Sequence, residues 1–327
     1  MSDARADGAP APVALPTLGY GAANVGNLFR ALSDEEAHGV LQAAWDAGIR
    51  YFDTAPHYGL GLSERRLGAF LRSKPRDEYV VSTKVGRLLR PNPAGAGSLD
   101  LEHDFLVPAD LRREWDPSAS GLRRSVEESL ERTGLDRFDI LYLHDPERYD
   151  LRAGVEVAIP ALADLRDGGL TDRVGVGSMD TDALLACAET GALDVLMVAG
   201  RFTLAEQPAL EHVLPVCRAL RIGVVVASVF NSGLLATDEP GRDARYEYGD
   251  VPEDVLARVR RIREVCHRFD VSLPAAALQY PLREPSVVSV VVGGSRPEHL
   301  RQNAERFAAP VPPELWTTLV DEGLLPE

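Results

Sequence analysis

A closed (β/α)8 TIM barrel is the fold that this 327-residue sequence predicts, on three observations. Eight short apolar runs alternate with eight helix-like stretches. Most runs are apolar at successive positions, as in strands buried on both faces, and such strands belong to a parallel sheet covered by helices. Eight β–α units fit one closed barrel of about 250 residues with insertions better than an open sheet.

Taken in order, residues 1–14 are rich in Ala and Pro, lack the apolar segment of a signal peptide, and read as a disordered leader. Residues 15–327 read as one barrel domain. Leu18-Gly-Tyr20-Gly is a first short strand. Ser33-Asp-Glu-Glu36 is a capping box, and Ala37, Val40, Leu41 and Ala44 share one face of the helix it opens. Gly48 stops that helix. A strand over 49–53 follows, then a helix from Ser63 with Leu67, Phe70 and Leu71 inward, then a strand over 79–83.

Residues 87–116 show no usable period and read as a long functional loop after the third strand. Asp116-Pro117 reads as N-cap and first-turn proline of a helix presenting Leu122, Val126 and Leu130, which Gly134 closes. Further strands are expected over 138–143, 173–177, 194–198, 222–227 and 287–292. Between them lie a helix ending near Gly168, one from Asp180 to Gly191, one over 206–220 and one carrying Leu256, Val259, Ile262 and Phe269. A second irregular stretch, 236–252, makes a long loop after the seventh strand, and Ser295-Arg-Pro-Glu298 reads as a second capping box.

Composition narrows the function. A net charge of −15 leaves no basic face for a phosphate backbone, so no nucleic-acid partner is expected. No run of about 18 apolar residues occurs, so no membrane span is expected. The three cysteines, Cys187, Cys217 and Cys266, are scattered over helix-like stretches and read as reduced core thiols of a cytoplasmic protein.

Chemistry concentrates at strand ends. The runs Tyr51-Phe-Asp53, Val80-Val-Ser-Thr-Lys84 and Ile140-Leu-Tyr-Leu-His144 each finish on an ionisable residue, and Tyr58 follows Asp53 in a tight loop. Each has an ordinary explanation: Asp53 as a loop cap, Tyr58 as a packing tyrosine, His144 as a strand cap. Lys84 is harder to explain so, because a buried ammonium needs a charge partner. In a barrel, all four fall on the C-terminal rim, where active sites lie. A phenol has an ordinary pKa near 10, and an ammonium beside it, itself held by a carboxylate, makes its proton easier to move at neutral pH. That is general acid/base work at a carbonyl or carbinol, with the electron pair passing as hydride to or from a nicotinamide. No metal-ligand, serine-hydrolase or complete Rossmann motif competes: Gly19-Tyr-Gly21 and Gly175-Val-Gly177 each lack the third glycine.

These segments, with the closing Gly293-Gly-Ser-Arg-Pro-Glu-His-Leu-Arg-Gln-Asn303, resemble the aldo-keto reductase family over about residues 16–307. Lys84-Val-Gly-Arg-Leu-Leu-Arg-Pro, Ala199-Gly-Arg-Phe-Thr-Leu and Phe230-Asn-Ser-Gly-Leu-Leu-Ala resemble its aldose 1-dehydrogenase branch. The resemblance implies Tyr58 as proton donor or acceptor, Lys84 and Asp53 as its tuning pair and His144 as substrate-orienting. It implies NAD or NADP held at the rim by Gly21, Ala22, Asp53, Ser178, the turn Phe230-Asn231-Ser232-Gly233, the loop Gly293-Gly294-Ser295-Arg296, and Gln302 and Asn303. The chain departs from the family pattern at Gly177-Ser178, Ala199 and Ala227. Gly293 and His299 stand where NADP-specific members often carry cations, which favours NAD. Substrate contacts are expected from His57, Gly86, Arg87, Trp115 and Asp145, with Gly86 leaving room for a ring. The expected activity is NAD(P)-dependent hydride transfer at a sugar-like hydroxyl or carbonyl, aldose to lactone. The alternatives are NADPH-dependent reduction of a specialised carbonyl metabolite and a nucleotide-binding regulatory barrel. Oligomeric state is left open.

Overall fold

The structure is a computed structural model and describes residues 14–241, 244–246 and 249–326. Of the expected leader, only Ala14 lies within the described residues.

The strands in chain order are β1 (Leu18–Gly21), β2 (Tyr51–Asp53), β3 (Val80–Val85), β4 (Arg87–Pro91), β5 (Leu111–Trp115), β6 (Ile140–His144), β7 (Arg173–Ser178), β8 (Val195–Ala199), β9 (Gly223–Ala227), β10 (Arg245–Tyr246), β11 (Gly249–Asp250) and β12 (Val287–Val292). Eight of them close a barrel in the order β1-β12-β9-β8-β7-β6-β3-β2. Neighbours around it pair in parallel. The expected (β/α)8 barrel is therefore the observed architecture. Its helices are α1 (Asp34–Asp46), α2 (Leu62–Leu71), α3 (Ala119–Thr133), α4 (Leu151–Ala153), α5 (Ile159–Asp167), α6 (Thr181–Ala188), α7 (Val213–Leu220), α8 (Glu253–Arg268), α9 (Leu273–Gln279), α10 (Pro297–Ala308) and α11 (Pro313–Asp321).

Side chains on a strand alternate between faces, and here the alternation decides what the site contains. Phe52, Val81, Leu141, Leu143, Val174 and Val176 pack outward in the main core with helix residues such as Leu67, Phe70 and Leu122. Tyr51, Tyr142, Met197, Val225 and Val291 fill the barrel interior. Counting two residues onward from Tyr51 and Tyr142 reaches Asp53 and His144 at the rim, on the same inner face. Ser82 and Lys84 occupy the inner face of β3 in the same way.

The structure departs from the sequence expectations at several places. Residues 87–116 are irregular only in part: β4 and β5, at the two ends of the stretch, pair antiparallel with Arg87 opposite Trp115. The N-cap of α3 is Ser118, whose Oγ accepts from Gly121 N. Asp116 instead accepts from the Ser118 N–H and hydroxyl, at 3.0 and 2.6 Å. The segment expected as a helix over 206–220 contains a short 3-10 turn and only the helix α7. Ser295 and Glu298 form no capping box: α10 begins after Arg296, with no side-chain cap, and Glu298 bonds Arg301 instead. The Ser33–Glu36 capping box is present in full. Within the second long loop, β10 and β11 pair briefly as an antiparallel hairpin.

Candidate active site

Asp53, Tyr58, Lys84 and His144 meet at the C-terminal mouth of the barrel. Lys84 Nζ donates to Asp53 Oδ2 at 2.5 Å and to the Thr54 carbonyl at 3.2 Å. It lies 4.7 Å from the centre of the Tyr58 ring. The Tyr58 and His144 rings meet edge to face with centroids 6.0 Å apart. Burial works against the Lys84 ammonium, but the Asp53 carboxylate and then the Tyr58 phenol outweigh it, and its pKa is raised. The lysine stays charged.

Two further phenols lie just beneath. Tyr51 and Tyr142 are joined at 3.2 Å, Tyr51 also meets Ser82 Oγ at 3.1 Å, and Ser82 donates to Asp53 at 2.7 Å. Burial first, and then Asp53 for Tyr51 and Tyr51 itself for Tyr142, push both phenols above their ordinary range. They are wholly buried, whereas Tyr58 is half-buried and open to the mouth. Of these three phenols, only Tyr58 keeps exposed surface.

The loop that carries Tyr58 is built on close backbone approach. Gly59 has φ +60°, and a Cβ there would stand 2.1 Å from the Gly26 carbonyl oxygen. Tyr58 N donates to Ala55 O, and Ser63 N donates back to Tyr58 O. Those contacts fix the phenol against the lysine.

His144 is buried, and its pKa is held well below the ordinary histidine value by burial first, then by Arg87 and Lys84. His57 is held down likewise by burial, Arg87 and Arg113. Both imidazoles are neutral at pH 7. Their rings lie 5.5 Å apart, and the Nδ1 atom of each is buried without a protein partner. Two uncharged rings with unspent hydrogen-bonding capacity suit a hydroxylated ligand.

The expected substrate contacts are only partly as read from the sequence. His57 lies at the mouth. Arg87 and Asp145 are spent on each other, with Nη2 to Oδ2 at 2.6 Å. Asp145 also lies 3.6 Å from His144 Nε2. Gly86 does not leave room for a substrate ring. It has φ +99°, and a Cβ there would fall 2.2 Å from Cζ3 of Trp115, so Trp115 itself fills the space. The indole also stacks on Tyr149, with centroids 4.9 Å apart and planes 6° apart. The Nε1 of Trp115 is buried without a partner.

Sequence reasoning missed Arg113 and Asp100. Arg113 donates to Asp100 from both terminal nitrogens, at 2.8 and 2.5 Å, and to the His57 carbonyl at 2.8 Å. Charges in a charged insertion look like solvated surface. The signal available was the alternation Leu111-Arg-Arg-Glu-Trp115, which puts Arg113 on the inward side with Leu111 and Trp115.

The residues expected to hold a dinucleotide line the same rim. Asp53 O accepts from Ala22 N at 2.8 Å, and Gly21 pairs with Asp53 across the sheet. Asn231, Ser232 and Gly233 follow one another with φ of 44°, 59° and 112°. In that turn, Asn231 N and Gly233 N are already bonded to Ser228 and Phe230, while Asn231 Oδ1 is buried and unpartnered. The cleft beside it is lined by Met179, Gly200, Arg201, Glu206, Ser228, Asn231 and Ser232. Gly293 and Gly294 lead into the N-terminus of α10, with Gly294 O accepting from Tyr20 and Ser295 O from Arg30. Gln302 is exposed and Asn303 buried on α10. Ser178 fits less well than expected: its hydroxyl donates to Glu147 at 2.8 Å and accepts from Asp180 N at 2.9 Å, leaving one acceptor position. The glycine-lined start of α10 fits a phosphate of an extended dinucleotide, and the Asn231 amide oxygen, an acceptor, fits one of its N–H or O–H groups. Among the described residues, no group of three or more His, Cys, Asp or Glu could hold a metal ion.

A parallel barrel with a Tyr–Lys–Asp relay and a neutral histidine at its C-terminal mouth defines a class, the oxidoreductases that move hydride beside a mobile phenol proton. The aldo/keto reductase family model matches residues 17–321, and the chain belongs to that family. It is 60% identical to a D-threo-aldose 1-dehydrogenase of Pseudomonas sp over 327 residues, 100% of this chain and 99% of that one. It is 36% identical to a pyridoxal 4-dehydrogenase of Microbacterium luteolum, with 94% of each chain covered. The fold also matches the solved glycerol dehydrogenase of Gluconobacter oxydans with TM-score 0.74 at 21% identity, covering 94% of this chain and 91% of that one. The protein is an NAD(P)-dependent oxidoreductase.

Proposed function

We propose that this enzyme oxidises an aldose at C1 to its lactone, with NAD as the favoured cofactor. The observation that carries the reading is the Asp53–Lys84–Tyr58 relay facing two neutral imidazoles, in a chain 60% identical to a D-threo-aldose 1-dehydrogenase. Nicotinamide, when bound, supplies the acceptor for the hydride that leaves C1. Tyr58, held as phenolate by the Lys84 ammonium, takes the proton of the anomeric hydroxyl as the C1–O bond becomes a carbonyl. Asp53 keeps the ammonium charged and aimed. His144, being neutral, hydrogen-bonds the reacting oxygen without competing for its proton. His57 and Trp115, both partly exposed beside the mouth, would contact the other hydroxyls.

Support for NAD comes from the last loop. Gly293 has no side chain to meet a 2′-phosphate, and exposed His299 has its pKa lowered by partial burial and then Arg296. Arg30 is engaged with Glu36 and Ser295 O. The three cysteines are buried and unpaired, which supports a reducing compartment and so the cytoplasm. Among the described residues, no helix is long and apolar enough to cross a membrane.

The test is an aldose panel with NAD⁺ and NADP⁺, followed by absorbance of the reduced nicotinamide, with carbonyl reduction run in parallel. Tyr58→Phe should lower turnover about 10²–10⁴-fold while leaving cofactor binding close to wild type. Near-full activity in Tyr58→Phe, or no aldose oxidised with either cofactor, would refute the reading.

A further inference from the structure

The hairpin insertion does more than wall the mouth. Its second strand carries Arg113, whose side chain is only 6% exposed, and the segment joining its strands carries Asp100, 8% exposed. Buried ion pairs seldom raise stability over apolar packing, so one that also reaches elsewhere invites a functional reading. The third bond of Arg113 ends on the carbonyl of His57, the residue immediately before Tyr58. Asp100 in turn lies 3.3 Å from His103 Nδ1, and the His103 ring meets the His57 ring at 5.2 Å. The insertion thus grips the loop of the proton-transferring phenol through its backbone and through a ring.

We infer that Arg113 and Asp100 are positioning residues for proton transfer, in which the guanidinium, clamped by the carboxylate, holds the His57–Tyr58 peptide so that the phenol stays against Lys84. This rests on the reading of Tyr58 as the proton-transferring group. Neither residue touches the reacting atoms; each acts through the loop. The arrangement also sets the charge around His57. That imidazole faces Arg87, Arg113, His103 and Arg148, with the Tyr58 and His144 rings at 6.0 and 5.5 Å. Removing one of those cations leaves His57 easier to protonate, and an imidazolium beside Tyr58 weakens it as a base.

The experiment compares Arg113→Met, Arg113→Lys and Asp100→Asn in the full chain, with Tyr58→Phe alongside. Arg113→Met should lower kcat about 10²-fold, as a small misplacement of a reacting group does, while cofactor affinity measured by fluorescence titration stays unchanged. Its kcat should also fall more steeply than that of wild type as pH drops from 8 to 6. Arg113→Lys retains the cation, so it should keep the wild-type pH profile and recover part of kcat. Asp100→Asn should fall between the two. An Arg113→Met enzyme with wild-type kcat and pH profile overturns the inference. So does a parallel loss of cofactor affinity and kcat with the pH profile unchanged, which makes Arg113 a general scaffold residue. Full turnover in Tyr58→Phe would instead remove the reading of Tyr58, and it is scored independently of the Arg113 variants.

Discussion

Lys84 and Asp53, on neighbouring strands, form an ion pair 2.5 Å long with both side chains 3% exposed. Charges so deeply placed depend on each other. Lys84→Met leaves the Asp53 carboxylate buried with Ser82 Oγ still donating to it, and should destabilise the fold by about 3–5 kcal/mol. The double variant Lys84→Met/Asp53→Asn should lose less than Lys84→Met alone, because no uncompensated charge remains. Urea midpoints measure both, and simple additivity would argue against mutual dependence. In the same variant, residual aldose oxidation should climb with pH towards the ordinary phenol value near 10, since the ammonium no longer assists Tyr58.

His144 and His57 make stability depend on pH in a predictable direction. Their folded pKa values lie well below the ordinary 6.5, so the folded state favours neutral rings. The unfolded chain takes up protons first as pH falls, so the stability is present above about 6.5 and is lost on acidification through that value. Each ring contributes a slope of up to about 1.4 kcal/mol per pH unit. Guanidinium midpoints between pH 7.5 and 5.5 should therefore fall with pH, and His144→Asn should flatten the curve. A midpoint independent of pH over that window would show that both rings already carry protons or reach solvent.

The barrel and the four rim residues were legible because each depends on local sequence. Apolar runs mark the strands, and a charge at the end of such a run marks the rim. The hairpin was not legible, because Arg87 and Trp115 pair across an insertion that holds Pro, Gly and many charges. The role of Gly86 was misread for a related reason: the residue that fills its space arrives from 29 positions later, on the opposite strand. The Ser295–Glu298 spacing satisfied the capping rule, yet the backbone starts the helix one residue further on, so Glu298 turns to Arg301. Arg113 and Asp100 escaped because burial of a charge is a property of the fold and not of composition.

The packing of Trp115 over Gly86 gives a direct stability test. Gly86→Ala forces a Cβ to 2.2 Å from the indole at a backbone φ of +99°. The expected loss from backbone strain is about 1–3 kcal/mol, with a further loss from the displaced ring. In a Trp115→Ala background the steric part vanishes and only the backbone part remains, so the two variants should be less than additive. Equal losses in both backgrounds would show that the indole is not held against Gly86.

Cofactor choice can be tested at the last loop by supplying the charge it lacks. Gly293 is exposed where the chain enters α10, and a Cβ there meets the Asn24 Oδ1 at 2.8 Å, the tip of a side chain. Gly293→Lys with His299→Arg places two cations beside Arg296 at a helix N-terminus, where the dipole also favours an anion. A charged hydrogen bond is worth about 1.5–3 kcal/mol, so the ratio of kcat/KM for NADP⁺ over NAD⁺ should rise by about tenfold or more. Turnover with NAD⁺ should change little, because neither position touches Tyr58 or Lys84. Arg30 bears on the same outcome: its bond to Ser295 O tethers the loop, so Arg30→Ala should weaken both cofactors alike and leave their ratio unchanged. If Arg30→Ala instead cost NADP⁺ selectively, the guanidinium would be serving as a phosphate ligand in the wild-type enzyme, and the preference for NAD would have to be abandoned.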